Sequence, residues 1–134
     1  MEYQIQVKTN QSEDFKNITP QIEEIISSSN IKSGLVLVYV PHATAAITIN
    51  ENADPNIGFD ILKAIKRIIP DHNNYSHDRI DNNASSHINS SLIGPSETLQ
   101  IRDNQLVLGT WQSILLMDFD GPKTRNINIK IISD

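Results

Sequence analysis

Three histidines in separate parts of the sequence are the residues best suited to chemistry. His42 follows a run of apolar residues, His77 lies in a polar stretch rich in Asn and Asp, and His87 lies in the next periodic segment. Imidazole is a common ligand of Zn²⁺, and a three-histidine set leaves one position open for water or substrate. We therefore predict a divalent metal site, Zn²⁺ or Mg²⁺, held by His42, His77 and His87.

The competing interpretation is that each histidine packs or caps locally, because no HExxH-type motif ties any two of them together. The fourth histidine, His72, directly follows a predicted helix end and is expected in solvent. We leave it out of the site.

Small polar residues accompany the histidines. Glu51 follows a strand whose second face is small and polar, and its carboxylate could orient an imidazole or act as a general base, so we predict catalytic roles for Glu51 and His77. An exposed loop position is the alternative for Glu51. For the only Trp, Trp111, a position in the hydrophobic core and a position in the site are equally expected. The predicted pocket lining is polar and consists of Thr44, Thr48, Asn50, Thr110 and Gln112.

Two cations follow the Asp-Gly-Pro turn near the end of the sequence. Lys123 and Arg125 could receive a phosphate or a carboxylate, and we predict that they bind an anion. The alternative is a pair of solvated side chains.

Serines around His87 raise a Ser-His-Asp interpretation with Asp78 or Asp81. We reject it because no G-x-S-x-G elbow occurs and residues within one helical turn do not easily reach nucleophile-to-base geometry. The glycine-rich phosphate loops, G-x-G-x-x-G and the Walker form, do not occur either. Nucleotide binding by those routes is excluded.

Composition limits the possible partners. The chain has 134 residues, a net charge of −5 and no cysteine. Because no segment clusters Lys and Arg, nucleic acid is an unexpected partner, and any metal must use nitrogen and oxygen ligands. No signal segment and no run of about 18 apolar residues occurs. We expect a cytoplasmic protein that binds a small anionic substrate and no membrane.

Hydrophobic periodicity places these residues on a fold of mixed type. One domain over residues 1–134 is expected from length, with an α/β (α+β sandwich) architecture of mixed β-sheets packed with about three helices. Strands are predicted over about 3–7, 35–40, 44–50, 98–101, 105–108, 113–119 and 126–132, and helices over about 20–29, 55–70 and 84–92.

Several phrases, taken in order and spacing, resemble the YjbQ family over nearly the whole chain. They are Pro41-His42-Ala43-Thr44 through Asn50-Glu51, Asp54-Pro55, Tyr75-Ser76-His77-Asp78, Ser86-His87-Ile88, Gly109-Thr110-Trp111-Gln112 and Asp120-Gly121-Pro122.

The family is often described as secondary thiamine-phosphate synthases. The resemblance implies a compact α/β sandwich, a homotrimer with sites near subunit boundaries, and metal binding by histidines. The family's histidines match His42, His77 and His87, and its acidic residue matches Glu51. Ala43 departs from the Thr or Ser of relatives and removes a hydroxyl beside His42.

Two functions follow from the resemblance and the residues. The first is an enzyme of the thiamine-phosphate synthase type, which joins a pyrimidine diphosphate and a thiazole phosphate with loss of pyrophosphate. The second is a non-catalytic trimer that binds a metal or a metabolite. A thiamine-requiring strain, rescued by the intact gene and not by His77→Ala, would separate them.

Overall fold

Two antiparallel sheets and three helices make up the protein, described here by a computed structural model that covers residues 1–134. The strands are β1 (Glu2–Lys8), β2 (Asp14–Asn17), β3 (Ser33–Tyr39), β4 (Ala45–Asn50), β5 (Ser96–Arg102), β6 (Gln105–Leu106), β7 (Ser113–Asp118) and β8 (Thr124–Ser133). The helices are α1 (Thr19–Ser29), α2 (Asn56–Ile68) and α3 (Ala84–Ile93), and a 3₁₀ turn spans Ser76–Arg79.

The two sheets pack face to face. The first has the order β1-β8-β3-β5-β6 and the second the order β2-β7-β4. The main core lies between them and includes α1, through residues such as Ile22, Val36, Ile47, Leu116 and Ile129. The other face of the second sheet packs on α2 through Leu62, Leu115 and Met117. The predicted α+β sandwich is confirmed, although every strand pairing is antiparallel, so the sheets are not mixed.

The outer face of the first sheet is open. The doubly apolar sequence of β3 predicts a strand covered on both sides, and β3 does lie in the middle of its sheet. Its inward residues Val36 and Val38 are fully buried, whereas Leu35, Leu37 and Tyr39 are exposed on the other face. The prediction that β3 is covered on both faces is therefore wrong within a single chain.

Helix α3 buries its polar side. The sequence predicts an apolar stripe of Ala84, Ile88 and Leu92, yet Leu92 is exposed while Ser86 and Ser90 are buried. Both buried serine hydroxyls have hydrogen-bond acceptors in the backbone. The Ser86 hydroxyl donates to the Phe119 carbonyl at 2.6 Å, and the Ser90 hydroxyl donates to the Ser86 carbonyl at 2.9 Å. Small side chains let the helix lie close to β4, and these engaged hydroxyls agree with the rejection of a serine nucleophile.

The pairs Thr19-Pro20 and Asp54-Pro55 each predict a capping residue followed by a proline at a helix start, and both helix starts differ from this prediction in detail. Thr19 is the first residue of α1 and not its cap, because its hydroxyl accepts the backbone N–H of Ile114 at 2.7 Å. For α2, the Asp54 carboxylate accepts the N–H of Asn56 at 3.0 Å. Asp54 therefore caps the helix as predicted, but Pro55 stands between it and the first helical residue, Asn56. None of the helices is both long and apolar enough to cross a membrane.

Candidate functional site

The 3₁₀ turn, the first turns of α3 and the β7–β8 turn (120–123) meet at one end of the second sheet. We call this region the histidine corner. It is joined to the sheet by the Ser86 hydroxyl on Phe119 and by the Asn83 side-chain amide, which donates to the Asp120 carboxylate at 2.9 Å. The polar sequence of residues 71–83, whose Asn, Asp and His content predicts a functional loop, therefore lies against the end of a strand.

His77 and His87 are brought together in the histidine corner. Their ring centroids lie 4.8 Å apart and the ring planes are inclined at 82°. The Nε2 atom of His77 is buried and has no hydrogen-bond partner, and the nearest acid, the Asp81 carboxylate, is 3.5 Å away. Since a buried polar atom without a partner costs free energy, it marks a place where a ligand atom or water can bind.

Asp78 holds the two histidine-bearing elements in register. One of its oxygens accepts the backbone N–H of Ala84 at 3.0 Å, at the start of α3. Its second oxygen is buried without a hydrogen bond, because the His72 Nδ1 atom is 3.6 Å away. A carboxylate at a helix start satisfies a free N–H and interacts favourably with the helix dipole. From the sequence, Asp78 was a candidate only for the acid of a Ser-His-Asp triad, and its capping role was not predicted.

Lys123 and Arg125 are already paired within the chain. Lys123 donates to Asp120 at 2.9 Å, while Arg125 is 3% exposed and its Nη2 atom lies 2.6 Å from the Asp118 carboxylate. Arg125 also donates to the Thr44 hydroxyl at 2.8 Å. Both cations are thus neutralised by neighbouring carboxylates, and only the Arg125 Nε atom is buried without a partner.

Asp118 is the acid that the sequence analysis missed. It is fully buried and accepts hydrogen bonds from Arg125, from the Thr9 hydroxyl at 2.6 Å and from the Asp120 backbone at 3.0 Å. Burial alone would raise the pKa of Asp118, but these hydrogen bonds lower it below its usual value. An aspartate inside an otherwise apolar strand was the available signal, because such a charge requires a buried partner.

His42 has a different environment from the other two histidines. Its Nε2 atom accepts the backbone N–H of Asn126 at 2.9 Å. The pairing of β3 with β8 ends at Tyr39 and Asn128, so this N–H lies just beyond the last β3 partner. Burial lowers the pKa of His42, the charges of Arg125 and Lys123 lower it further, and Asp118 opposes them.

Most of the remaining predicted residues lie at the end of β4 that is opposite to Thr44. Thr44 precedes β4 and is buried, whereas Asn50 ends it and Glu51 follows it, so about 20 Å of strand separates the two ends. Asn50 pairs with Ser113, which places Glu51 beside the turn of residues 109–112. We call this region the Trp111 turn.

The Trp111 turn is held by its own side chain. Gln112 accepts the Gly109 N–H through its side-chain oxygen at 2.8 Å, and its backbone donates to the Gly109 carbonyl at 3.1 Å. Trp111 is 65% exposed, so the core interpretation of this residue is wrong. Thr110 and Gln112 are exposed on the same turn, and Thr48 is half-buried on β4.

The predicted three-histidine metal set is not formed within one chain. No group of three or more His, Asp or Glu side chains is arranged to hold a metal ion. His77 and His87 are adjacent, but the ring nitrogen of His42 that faces Asn126 is already used as an acceptor. Within one chain, the histidine corner therefore brings two imidazoles together, those of His77 and His87.

Comparison with known proteins covers the whole chain. Residues 3–134 match the family model described as UPF0047 protein YjbQ-like. A UPF0047 protein of Methanocaldococcus jannaschii is 46% identical over 134 residues, covering 100% of this chain and 96% of that protein. The UPF0047 protein YugU of Bacillus subtilis is 39% identical over 129 residues, covering 96% of each.

Solved structures agree. The crystal structure of a YbjQ-like protein of unknown function from Sulfolobus solfataricus superposes with a TM-score of 0.96 at 36% identity, covering 100% of this chain and 97% of that one. A conserved yjbq/upf0047 protein from Clostridium acetobutylicum gives a TM-score of 0.93 at 38% identity, covering 97% and 99%.

Proposed function

The chain belongs to the YjbQ-like UPF0047 family, and on this premise we propose that the histidine corner is the active site of a small enzyme acting on an anionic, phosphate-bearing metabolite. The observation that carries the proposal is the His77–His87 pair, with rings 4.8 Å apart and the His77 Nε2 atom buried without a hydrogen bond, 3.5 Å from the Asp81 carboxylate. An imidazole nitrogen can accept or donate a proton in general acid–base catalysis, so this nitrogen is a candidate for proton exchange with a bound ligand.

The proposed reaction is of the thiamine-phosphate synthase type. The ring nitrogen of a thiazole phosphate forms a bond to the methylene carbon of a pyrimidine diphosphate, the carbon–oxygen bond breaks, and pyrophosphate leaves with the electron pair. No oxidant or reductant is required. His77 protonates or orients the leaving group, and the exposed ammonium of Lys123 meets its phosphate oxygens. Arg125 supports this region as the partner of Asp118.

A homotrimer is part of the proposal. Glu51 and the Trp111 turn lie at the far end of β4 from the histidine corner, so within one chain they serve different surfaces. In a trimer with sites at subunit boundaries, the Trp111 turn of one copy can approach the histidine corner of the next. Glu51 would then orient a ligand or move a proton there, with Thr110 and Gln112 lining the same pocket. The exposed Trp111 and Ile80 (78% exposed, beside the 3₁₀ turn) would be covered by this contact.

A divalent metal fits the histidine corner only in part. His77 and His87 are the two imidazoles that would hold Zn²⁺ or a similar ion, and a third donor has to come from another copy, the substrate or water. A bound metal would supply Lewis-acid stabilisation of phosphate oxygens. We expect any metal found by elemental analysis of the purified protein to be lost in His77→Ala and His87→Ala and retained in His42→Gln. Loss in all three would restore the three-histidine set.

Rescue of a thiamine-requiring strain tests the catalytic proposal. We expect the intact gene to rescue growth and His77→Ala to fail, with His72→Ala as the matched control because His72 is an exposed imidazole in the same loop. Equal soluble levels and equal unfolding curves of the two variants show that the fold is retained. Rescue by His77→Ala as strong as that by the intact gene would remove His77 from catalysis.

The alternative is a non-catalytic protein that binds a metal or metabolite. Its support is that Lys123 and Arg125 are already neutralised within the chain, so few free charges are left for a transferring phosphate. It predicts that the purified protein binds pyrophosphate but forms no thiamine phosphate from the two substrates. Turnover abolished by His77→Ala would exclude this alternative.

A further inference from the structure

His42 sits beside the β7–β8 turn in a setting that fixes its tautomer. A backbone N–H can only donate, so the Nε2 atom that faces Asn126 at 2.9 Å must be an unprotonated acceptor. In the neutral ring the proton is then on Nδ1. A metal bound at Nδ1 would require a proton on Nε2, which would face the Asn126 N–H as donor against donor.

Several hydrogen-bond donors lie around His42. The carboxylate of Asp118 already accepts hydrogen bonds from Arg125, Thr9 and the Asp120 backbone, and the Arg125 Nε atom is buried without a partner. Lys123, paired with Asp120, keeps nearly half of its side chain exposed. The Nδ1 atom of His42 makes no hydrogen bond within the chain and is not buried, so it is a further free donor on this surface.

We infer that His42 is a neutral hydrogen-bond donor, which presents its Nδ1–H to a phosphate oxygen of the bound metabolite and is not a metal ligand. The inference rests on the proposed function in taking the ligand to be a phosphate-bearing anion. Because Arg125 and Lys123 are already paired with Asp118 and Asp120, they leave little net charge here, and a neutral donor such as His42 can add a hydrogen bond to an anion without adding charge. Burial and the charge of Arg125 lower the pKa of His42, which favours the neutral ring.

Two substitutions separate the two ring nitrogens. In His42→Gln the side-chain oxygen can take the place of Nε2 and still accept the Asn126 N–H, but the Nδ1 donor is lost. In His42→Asn the amide nitrogen can take the place of Nδ1, but the acceptor for Asn126 is lost. The inference therefore predicts opposite phenotypes for two conservative changes at one position.

The probe is inorganic pyrophosphate, with inorganic phosphate as a second titrant, measured by calorimetry on the full chain. We expect His42→Gln to fold as stably as the wild type and to bind pyrophosphate about tenfold or more weakly, because a hydrogen bond to a charged oxygen is lost. We expect His42→Asn to unfold at lower urea concentration and to keep most of the affinity. Unchanged affinity in His42→Gln would overturn the inference, as would no pyrophosphate binding by the wild type.

Nitrogen NMR of the histidine rings gives an independent reading. The inference requires a protonated Nδ1 and an unprotonated Nε2 in His42 at pH 7, both without ligand and in His77→Ala. A protonated Nε2 would contradict it whatever the binding data show. If the tautomer and the His42→Gln binding defect are found while His77→Ala still rescues growth, the proposed catalysis fails and the donor role of His42 stands.

Discussion

At the scale of single residues, Asp118 and Arg125 form an ion pair that is buried at both ends, with side chains 0% and 4% exposed. Arg125 lies on β8 of the first sheet and Asp118 on β7 of the second, and Thr9 and Thr44 complete the hydrogen bonds. Because desolvation of both charges is compensated only by this network, loss of either partner leaves the other charge buried and uncompensated.

Asp118→Asn should therefore destabilise the protein by about 3–5 kcal/mol, measured as the free energy of unfolding in urea at pH 7. The matched control is Asp60→Asn, the same change at an exposed position of α2, for which we expect a change within about 0.5 kcal/mol. Equal unfolding midpoints for Asp118→Asn and the wild type would mean that the pair does not stabilise the fold.

The pH dependence of the same pair has a definite sign. The pKa of Asp118 in the folded protein is lowered, so the folded state binds its proton less readily than the unfolded chain, where the pKa is about 3.9. The stabilisation is fully present above that value and is lost as pH falls through the lowered pKa. The difference in unfolding free energy between the wild type and Asp118→Asn should thus be constant from pH 7 to about pH 5 and should shrink in more acidic buffer. A difference that grows toward acid would contradict this assignment.

At the scale of elements, alternation and turn chemistry predicted most strands. The alternation of Tyr3, Ile5 and Val7 predicts β1, and Arg102-Asp103-Asn104 predicts a turn. The structure has both, with Asp103 and Asn104 at positive φ, as a tight hairpin requires. The short β2 was missed because its four residues DFKN carry no alternation that separates them from a turn. Their strand character comes from pairing with β7, which local sequence does not record.

The residue types of the candidate site could be predicted from the sequence better than which of these residues lie together in the fold. His77 and His87 meet as expected, since Asp78 fixes the 3₁₀ turn against α3. His42 and Glu51 do not join them within one chain. The local sequence does not show that the backbone N–H of Asn126 donates a hydrogen bond to His42. The two residues are 84 positions apart and meet only in the folded protein.

The cap of α3 gives a prediction at this scale. Asp78→Ala removes the acceptor of the Ala84 N–H, so it should cost about 1 kcal/mol of unfolding free energy and should speed hydrogen exchange at the first amides of α3. Asp78→Asn keeps an acceptor and loses only the charge at the helix start, so its cost should be about 0.3–1 kcal/mol. An equal and larger loss in both variants would show that the carboxylate charge, and not the cap, is what matters.

At the scale of the whole molecule, the open face of the first sheet carries a contiguous apolar group. Leu35, Leu37 and Tyr39 alternate along β3, and Ile132 on β8 pairs with Leu35 in the register, so these four exposed side chains are neighbours. Around them lie amide and charged side chains, including Gln4, Asn128 and Lys130. An apolar centre with a polar rim is the usual anatomy of a protein interface.

The proposed homotrimer is therefore expected to bury this face in addition to the contact between the Trp111 turn and the histidine corner. Light scattering after gel filtration should give the wild type a mass of three times the 15.0 kDa chain. Leu37→Lys should give the mass of one chain, because a charge at the centre of an apolar interface is desolvated without a partner. The control is Ile68→Lys, since Ile68 is 76% exposed on α2, away from the first sheet, and this variant should remain trimeric.

A wild type with the mass of one chain would disprove the trimer, and a trimeric Leu37→Lys would move the interface to another face. If Leu37→Lys dissociates and also loses pyrophosphate affinity while its unfolding curve stays cooperative, the histidine corner depends on a neighbouring copy, as the proposed contact with the Trp111 turn predicts.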